Sequence, residues 1–138
     1  METAYTYLAL SGLLTILLWT PYILARVFTW GLPTFLHNYP RDFPAQQPEP
    51  PLWAQRAQRA HLNMVETMPA FIAVVLSAGY FAASKPEIAA TVGYWAMIFF
   101  YARIAHAGVY TLGIPFLRTP VYLLSWLAVL VIGAQIFL

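Results

Sequence analysis

The stretch TAYTYLALSGLLTILLWTPYILA, residues 3–25, contains no charged side chain over 23 positions. An α-helix needs about 20 apolar residues to cross the ~30 Å hydrocarbon core of a bilayer, so this stretch is long enough to span it. No basic residue precedes the apolar run and no small-residue cleavage site follows it, which argues against a removable signal peptide. We therefore predict a retained first helix over residues 4–30, with a kink at Pro21 of the kind that membrane helices tolerate.

The composition of the whole chain agrees with a membrane protein. Apolar residues make up 61% of its 138 positions and charged residues 9%, whereas a soluble domain carries about 25% charged residues. This scarcity of charge excludes a soluble globule, a disordered chain and a nucleic-acid-binding surface. The chain has no cysteine, which excludes disulfides, thiolate metal sites and a cysteine nucleophile.

Three more helices are predicted after the first. Residues 31–51 include six prolines among polar residues, which predicts a connecting loop in water, since proline cannot donate a helical hydrogen bond. Apolar segments over residues 52–82, 86–112 and 120–137 then predict the second, third and fourth helices. The sequence thus predicts one domain over residues 1–138, an all-α membrane protein with four transmembrane helices.

The arginines predict the orientation of these helices. All six lie at or near the first and third connections, whereas the termini and the turn at Lys85 are nearly neutral. Cytoplasmic loops carry an excess of Lys and Arg, so the first and third connections are predicted to be cytoplasmic and both termini to lie outside. The six are Arg26, Arg41, Arg56, Arg59, Arg103 and Arg118.

Polar residues form a stripe on the second helix. At about 100° per residue, Arg56, Arg59, Asn63 and Glu66 fall within about 80° of one another, and His61 lies nearly opposite. Two guanidinium groups, an amide and a carboxylate suit a zwitterionic ligand that has both carboxylate and ammonium groups. The alternative interpretations are that Glu66 merely neutralises an arginine, or that the arginines mark the membrane interface.

The third predicted helix carries a second polar face. Arg103, His106 and Tyr110 align on one side of it and are candidates to complete the same pocket. The alternative is a basic flank with an interfacial tyrosine, which is common at membrane boundaries. The three histidines of the chain are not accompanied by carboxylates at ligand spacing, so no metal site is predicted.

Several motifs together resemble one protein family. The run RAQRAHLNMVE at 56–66 is followed by Pro69, and the chain also contains NYPRD at 38–42, RIAH at 103–106 with Tyr110, and LRTP at 117–120. This pattern resembles the MAPEG family, the membrane-associated proteins in eicosanoid and glutathione metabolism, and NYPRD is typical of its bacterial members. The resemblance covers essentially the whole chain.

The resemblance implies a homotrimer of four-helix subunits that binds glutathione between neighbouring subunits, near the cytosolic face. Glutathione has two carboxylates and one ammonium group, which agrees with the polar stripe. The resemblance and the stripe together assign glutathione binding to Arg26, Arg56, Arg59, Asn63, Glu66, Arg103, His106 and Tyr110.

The fourth helix departs from the family's pattern at the catalytic position. In the enzymes of the family, an arginine in its first turn stabilises the glutathione thiolate, because a fixed cation lowers the pKa of a thiol. Alignment of Arg118-Thr119-Pro120 on the family's Arg-x-Pro places Tyr122 at that position. Three alternatives follow: Arg118 acts from one turn away, Tyr122 donates a hydrogen bond to the thiolate, or catalysis is lost.

The resemblance therefore leads to three functional hypotheses. The first is a glutathione-dependent transferase or peroxidase that acts on lipophilic electrophiles entering from the bilayer. The second is a non-catalytic trimer that binds a lipid or an apolar ligand, and the third is an accessory membrane subunit. In each case the expected partners are other copies of the chain and membrane lipids, without nucleic acid, in the inner membrane of a bacterium.

Overall fold

The computed structural model describes residues 1–37 and 48–138, and these residues form helices and turns without a β-strand. The helices are α1 (Glu2–Leu17), α2 (Thr20–Trp30), α3 (Leu32–Leu36), α4 (Leu52–Phe81), α5 (Ile88–Leu112) and α6 (Arg118–Ala134). Glu2–Trp30, Leu52–Phe81 and Ile88–Leu112 are long and apolar enough to cross a membrane. α6 has 17 residues, which is close to the lower limit for a span. The prediction of an all-α fold with membrane-spanning helices is confirmed.

The first apolar segment is divided between α1 and α2. The interruption lies at Leu18 and Trp19, just upstream of Pro21. Proline lacks an N–H group, and its ring clashes with the carbonyl four residues earlier, here that of Leu17. The helix therefore breaks on the N-terminal side of the proline.

The segment predicted as a polar loop begins with a single helical turn, α3. Gly31 precedes it with a φ of 78°, a backbone conformation that glycine adopts without steric cost. The NYPRD motif at 38–42 and the rest of residues 38–47 lie outside the described residues.

α5 is the central helix of the bundle, because it packs against α1, α4 and α6. The buried residues between these helices are apolar, and the alanines among them let helices approach closely where no hydrophobic effect drives their association. This core consists of Ala4, Met64, Met68, Phe71, Val75, Ala78, Ile88, Val92, Ala96, Phe99, Ala128 and Ile132. α2 packs separately on the first part of α4 through Tyr22, Ala25, Ala54 and Ala57.

The tightest aromatic contact joins α4 to α5. The rings of Phe71 and Phe99 are stacked with centroids 3.8 Å apart, and both side chains are fully buried.

We expect Phe71→Ala to lower the free energy of unfolding in detergent by about 3–5 kcal/mol, because the cavity cannot collapse between two long helices. Phe28, which is 84% exposed, provides the matched control. Phe28→Ala should change that free energy by less than about 0.5 kcal/mol. Equal losses in the two variants would contradict this assignment of the core.

Candidate functional site

Arg103 of α5 is buried inside the bundle and is 1% exposed. Its Nε donates to the sulfur of Met64 at 3.1 Å, and its Nη1 donates to Oδ1 of Asn63 at 2.9 Å. Its Nη2 has no hydrogen-bond partner among the described residues, nor does the guanidinium pair with a carboxylate there. A buried cation without a counter-ion is costly, so this position favours an anion in the adjacent space.

That space is a cavity of about 280 Å³, which we call the inner cavity. Arg103 lies behind its wall, with the guanidinium carbon 5.8 Å from the ring centroid of Tyr122 and with Asn63 as its hydrogen-bond acceptor. No acidic residue is found among the side chains that line the cavity in the described part of the chain. The lining residues are Asn63, His106, Tyr110, Arg118, Thr119 and Tyr122.

His106 forms the buried end of the inner cavity. Its side chain is 2% exposed, and its Nδ1 has no hydrogen-bond partner within residues 1–37 and 48–138. Its ring centroid lies 5.6 Å from that of Tyr110 and 5.9 Å from that of Tyr122. A buried polar atom without a partner costs about 1–3 kcal/mol, which a bound polar ligand would recover.

Arg118 begins α6 and is exposed. Its guanidinium carbon lies 5.0 Å from the ring centroid of Tyr110, a cation–π contact that holds the cation beside the inner cavity. The residue before it, Leu117, is the N-cap of α6 and gives no side-chain hydrogen bond to the helix terminus. Arg118 also lines a second cavity on its other side.

This second cavity has a volume of about 410 Å³, and we call it the outer cavity. It lies between the beginning of α4 and the turn that joins α5 to α6. It shares Tyr110, Arg118 and Thr119 with the inner cavity. Its lining is Arg56, Val109, Tyr110, Gly113, Ile114, Pro115, Phe116, Arg118 and Thr119.

Gly113 leaves room for the guanidinium of Arg56. It ends α5 in the left-handed conformation, with a φ of 71°, and its N–H bonds to the carbonyl of Tyr110. A Cβ atom at this position would collide with the guanidinium of Arg56. The glycine therefore provides both the turn and the space that Arg56 occupies at the edge of the outer cavity.

The structure brings six of the predicted site residues together and leaves four elsewhere. Arg56 lines the outer cavity only. Arg59 and Glu66 are exposed on α4 and make no ion pair with any described residue, so the salt bridge considered for Glu66 is not found in this part of the chain. The residues brought together are Asn63, Arg103, His106, Tyr110, Arg118 and Tyr122.

Arg26 is held in a different place. Its Nη2 donates to Oε1 of Gln58 at 2.9 Å, and its guanidinium carbon lies 5.6 Å from the ring centroid of Tyr22 and 5.7 Å from that of Trp30. Gln58 is about 140° around α4 from Asn63, so Arg26 and the inner cavity of the same chain lie on different sides of this helix. His61 lies opposite the stripe by its periodicity, and its Nδ1 is 2.9 Å from the hydroxyl oxygen of Tyr22, which is a hydrogen bond.

Sequence reasoning missed several residues of the site. Met64 belongs to the RAQRAHLNMVE run but received no role, yet its sulfur accepts a hydrogen bond from Arg103. Thr119 lines both cavities. Its position in the LRTP motif, between Arg118 and Pro120, could have indicated a place in the site. No sequence pattern indicated Phe116, because its place in the wall of the outer cavity depends on the conformation of the turn between α5 and α6.

The described residues contain no group of three His, Asp or Glu side chains that would hold a metal ion.

The family model described as the MAPEG family matches residues 3–138, essentially the whole chain. Neither a curated protein nor a solved structure gives a significant match.

Proposed function

Because the chain belongs to the MAPEG family, we propose that it is a glutathione-dependent transferase or peroxidase that acts on lipophilic electrophiles at the membrane. The observation that carries the proposal is the inner cavity, whose wall combines the cation of Arg118 with an imidazole, an amide and two phenols, and includes no acidic side chain among the described residues. Arg103 adds a second positive charge behind this wall. Glutathione presents two carboxylates and a thiol that reacts as its anion. A wall of this composition is complementary to such a molecule.

The buried donors of the inner cavity are suited to a carboxylate. Arg103 lies behind the wall, where its uncompensated charge favours an anion in the cavity, and His106 adds a buried ring nitrogen that has no partner among the described residues. Asn63 presents an amide beside them. On the same face of α4, Arg59 and Glu66 would take the second carboxylate and the ammonium group, since they lie within about 60° of Asn63.

Two side chains of α6 would stabilise the thiolate. Arg118 supplies a fixed positive charge, and the hydroxyl of Tyr122 makes no hydrogen bond to another described residue, which leaves it available as a donor. Both line the inner cavity. A nearby cation and a hydrogen bond each favour the charged form of a thiol, lower its pKa and raise the fraction of nucleophile at neutral pH.

A complete site would need a neighbouring subunit. Arg59 and Glu66 are exposed although they belong to a helix that can span the membrane. Arg59 is in the polar first third of α4, whereas Glu66 lies deeper, where an unpaired charge that faces lipid is costly. A covering subunit and a bound zwitterion would remove that cost. We propose that a second copy covers this face within a homotrimer. Arg26 of the neighbouring copy would then approach glutathione from the other side.

The electrophile would come from the bilayer. Between the apolar helices of neighbouring subunits, a lipophilic molecule would enter laterally, whereas glutathione would come from the water at the arginine-rich end. Proximity of the two reactants and electrostatic stabilisation of the sulfur would then supply the rate. The excess of arginine at this end supports a cytosolic position, which corresponds to the inner membrane of a bacterium.

Titration of the purified protein with glutathione, followed by thiolate absorbance, tests the proposal. We expect saturable thiolate formation at neutral pH in the wild type. Loss of one group that stabilises a developing anion typically costs about 100-fold or more, so Arg118→Ala and Tyr122→Phe should each abolish the measurable signal.

The controls distinguish the three hypotheses. Lys85→Ala removes a cation from the opposite end of the bundle and should leave the titration unchanged. Glutathione binding without thiolate in the wild type would contradict catalysis and favour a ligand-binding trimer. Absence of any binding would favour an accessory subunit.

A further inference from the structure

We propose that the outer cavity binds the phosphate of an anionic membrane phospholipid. The proposal does not depend on the glutathione reaction, because the cavity lies beside the proposed reaction site and Arg56 belongs to its wall alone.

The polar part of the wall contains donors and no acid within the described residues. Arg56 from α4 and Arg118 from α6 face the same space, and neither has an ion pair in that part of the chain. Thr119 adds a hydroxyl group. The N–H groups of Arg118 and Thr119, the first two residues of α6, receive no side-chain cap and add partial positive charge at the same end. Two guanidinium groups with neutral donors are the chemistry that recognises a phosphate.

The outer cavity lies at the depth of lipid headgroups. α4 has 30 residues and is therefore ~45 Å long, whereas the hydrocarbon core is ~30 Å thick. About ten residues must project from the core, and they are the first ones, because the polar third of α4 is at its beginning. Arg56 is in this part, and the turn after α5 lies against it through Gly113.

The remaining wall is apolar, which distinguishes a lipid from a free anion. Val109, Ile114, Pro115 and Phe116 line it beside the two arginines. Phe116 is 93% exposed and has a φ of 65°, a conformation that bulky residues rarely adopt. Strain of this kind costs about 1–3 kcal/mol and is retained mainly at functional positions such as ligand clamps. Here it presents an aromatic ring where the first carbons of an acyl chain would lie.

Native mass spectrometry of the detergent-purified protein tests the site, with phosphatidylglycerol as the probe. We expect phosphatidylglycerol to bind with saturation and about tenfold more tightly than phosphatidylcholine, whose choline cation opposes the arginines. Arg56→Gln should weaken phosphatidylglycerol binding about tenfold, which corresponds to about 1.4 kcal/mol. Arg56→Lys should retain the preference, and Lys85→Gln, which removes a cation at the other end, should leave it unchanged.

The same experiment can overturn the proposal. Equal binding of the two lipids by the wild type would do so without any variant. An unchanged affinity in Arg56→Gln would exclude the assigned donor. Displacement of phosphatidylglycerol by inorganic phosphate would indicate a free-anion site, and displacement by millimolar glutathione would assign the cavity to the tripeptide. Loss of glutathione binding alone, with the lipid preference intact, would refute the proposed reaction and leave this site standing.

Discussion

Arg103→Met is expected to stabilise the protein in detergent while it abolishes glutathione binding. The guanidinium is buried, lacks a carboxylate partner among the described residues and leaves Nη2 without a hydrogen bond. Replacement of buried charges by apolar side chains of similar size is often neutral or stabilising by about 1–4 kcal/mol. Methionine fills the volume, and Asn63, which lines a cavity, can bond to water instead. Thermal unfolding and glutathione titration of one preparation provide both measurements.

Arg118→Met is the matched control for the stability measurement, because it makes the same substitution at an exposed arginine. Arg118 is exposed, so its replacement should change the free energy of unfolding by less than about 0.5 kcal/mol. If Arg103→Met unfolds at a lower temperature and still binds glutathione, then the guanidinium serves the fold rather than a ligand.

Glu66→Gln is expected to weaken the binding free energy of glutathione by about 2–5 kcal/mol. This is the usual loss when one partner of a desolvated charge pair is removed. Glutamine keeps the size of the side chain and removes only the charge that would meet the ammonium group. Because Glu66 is exposed and makes no ion pair with another described residue, the variant should fold normally. Equilibrium titration with glutathione measures the effect.

Glu87→Gln is the corresponding control, since Glu87 is an exposed carboxylate at the beginning of α5, at the opposite end of the bundle. Its affinity for glutathione should equal that of the wild type. An unchanged affinity in Glu66→Gln would remove Glu66 from the proposed site and with it the basis for the intersubunit arrangement on this face of α4.

The helical face of each polar residue was predictable because it depends on local geometry alone. The period of 3.6 residues places Asn63 near Arg59 and Glu66, and Arg103 near His106, without knowledge of the neighbouring helices. The contact between Arg103 and Asn63 joins residues 40 positions apart. It depends on how α4 and α5 are rotated against each other, which the core residues between them determine together.

The division of the arginines between sites was not predictable for the same reason. Arg56 belongs to the stripe by its angle, yet the left-handed turn at Gly113 brings the α5–α6 connection against it and assigns it to the outer cavity. Arg26 belongs to α2, which begins after the break before Pro21, and it bonds to Gln58 on another side of α4.

The sequence by itself determined the class of the protein, the apolar helices and the faces that carry its few charges. Charge scarcity and helical periodicity are properties of single segments, so they can be read without a partner segment. Only the tertiary structure decided that Arg103 is buried behind Tyr122, that Arg118 lies between two cavities and that Arg56 lines the outer one. These outcomes depend on helix packing and on the conformation of one turn, which arise from contacts between residues distant in the chain.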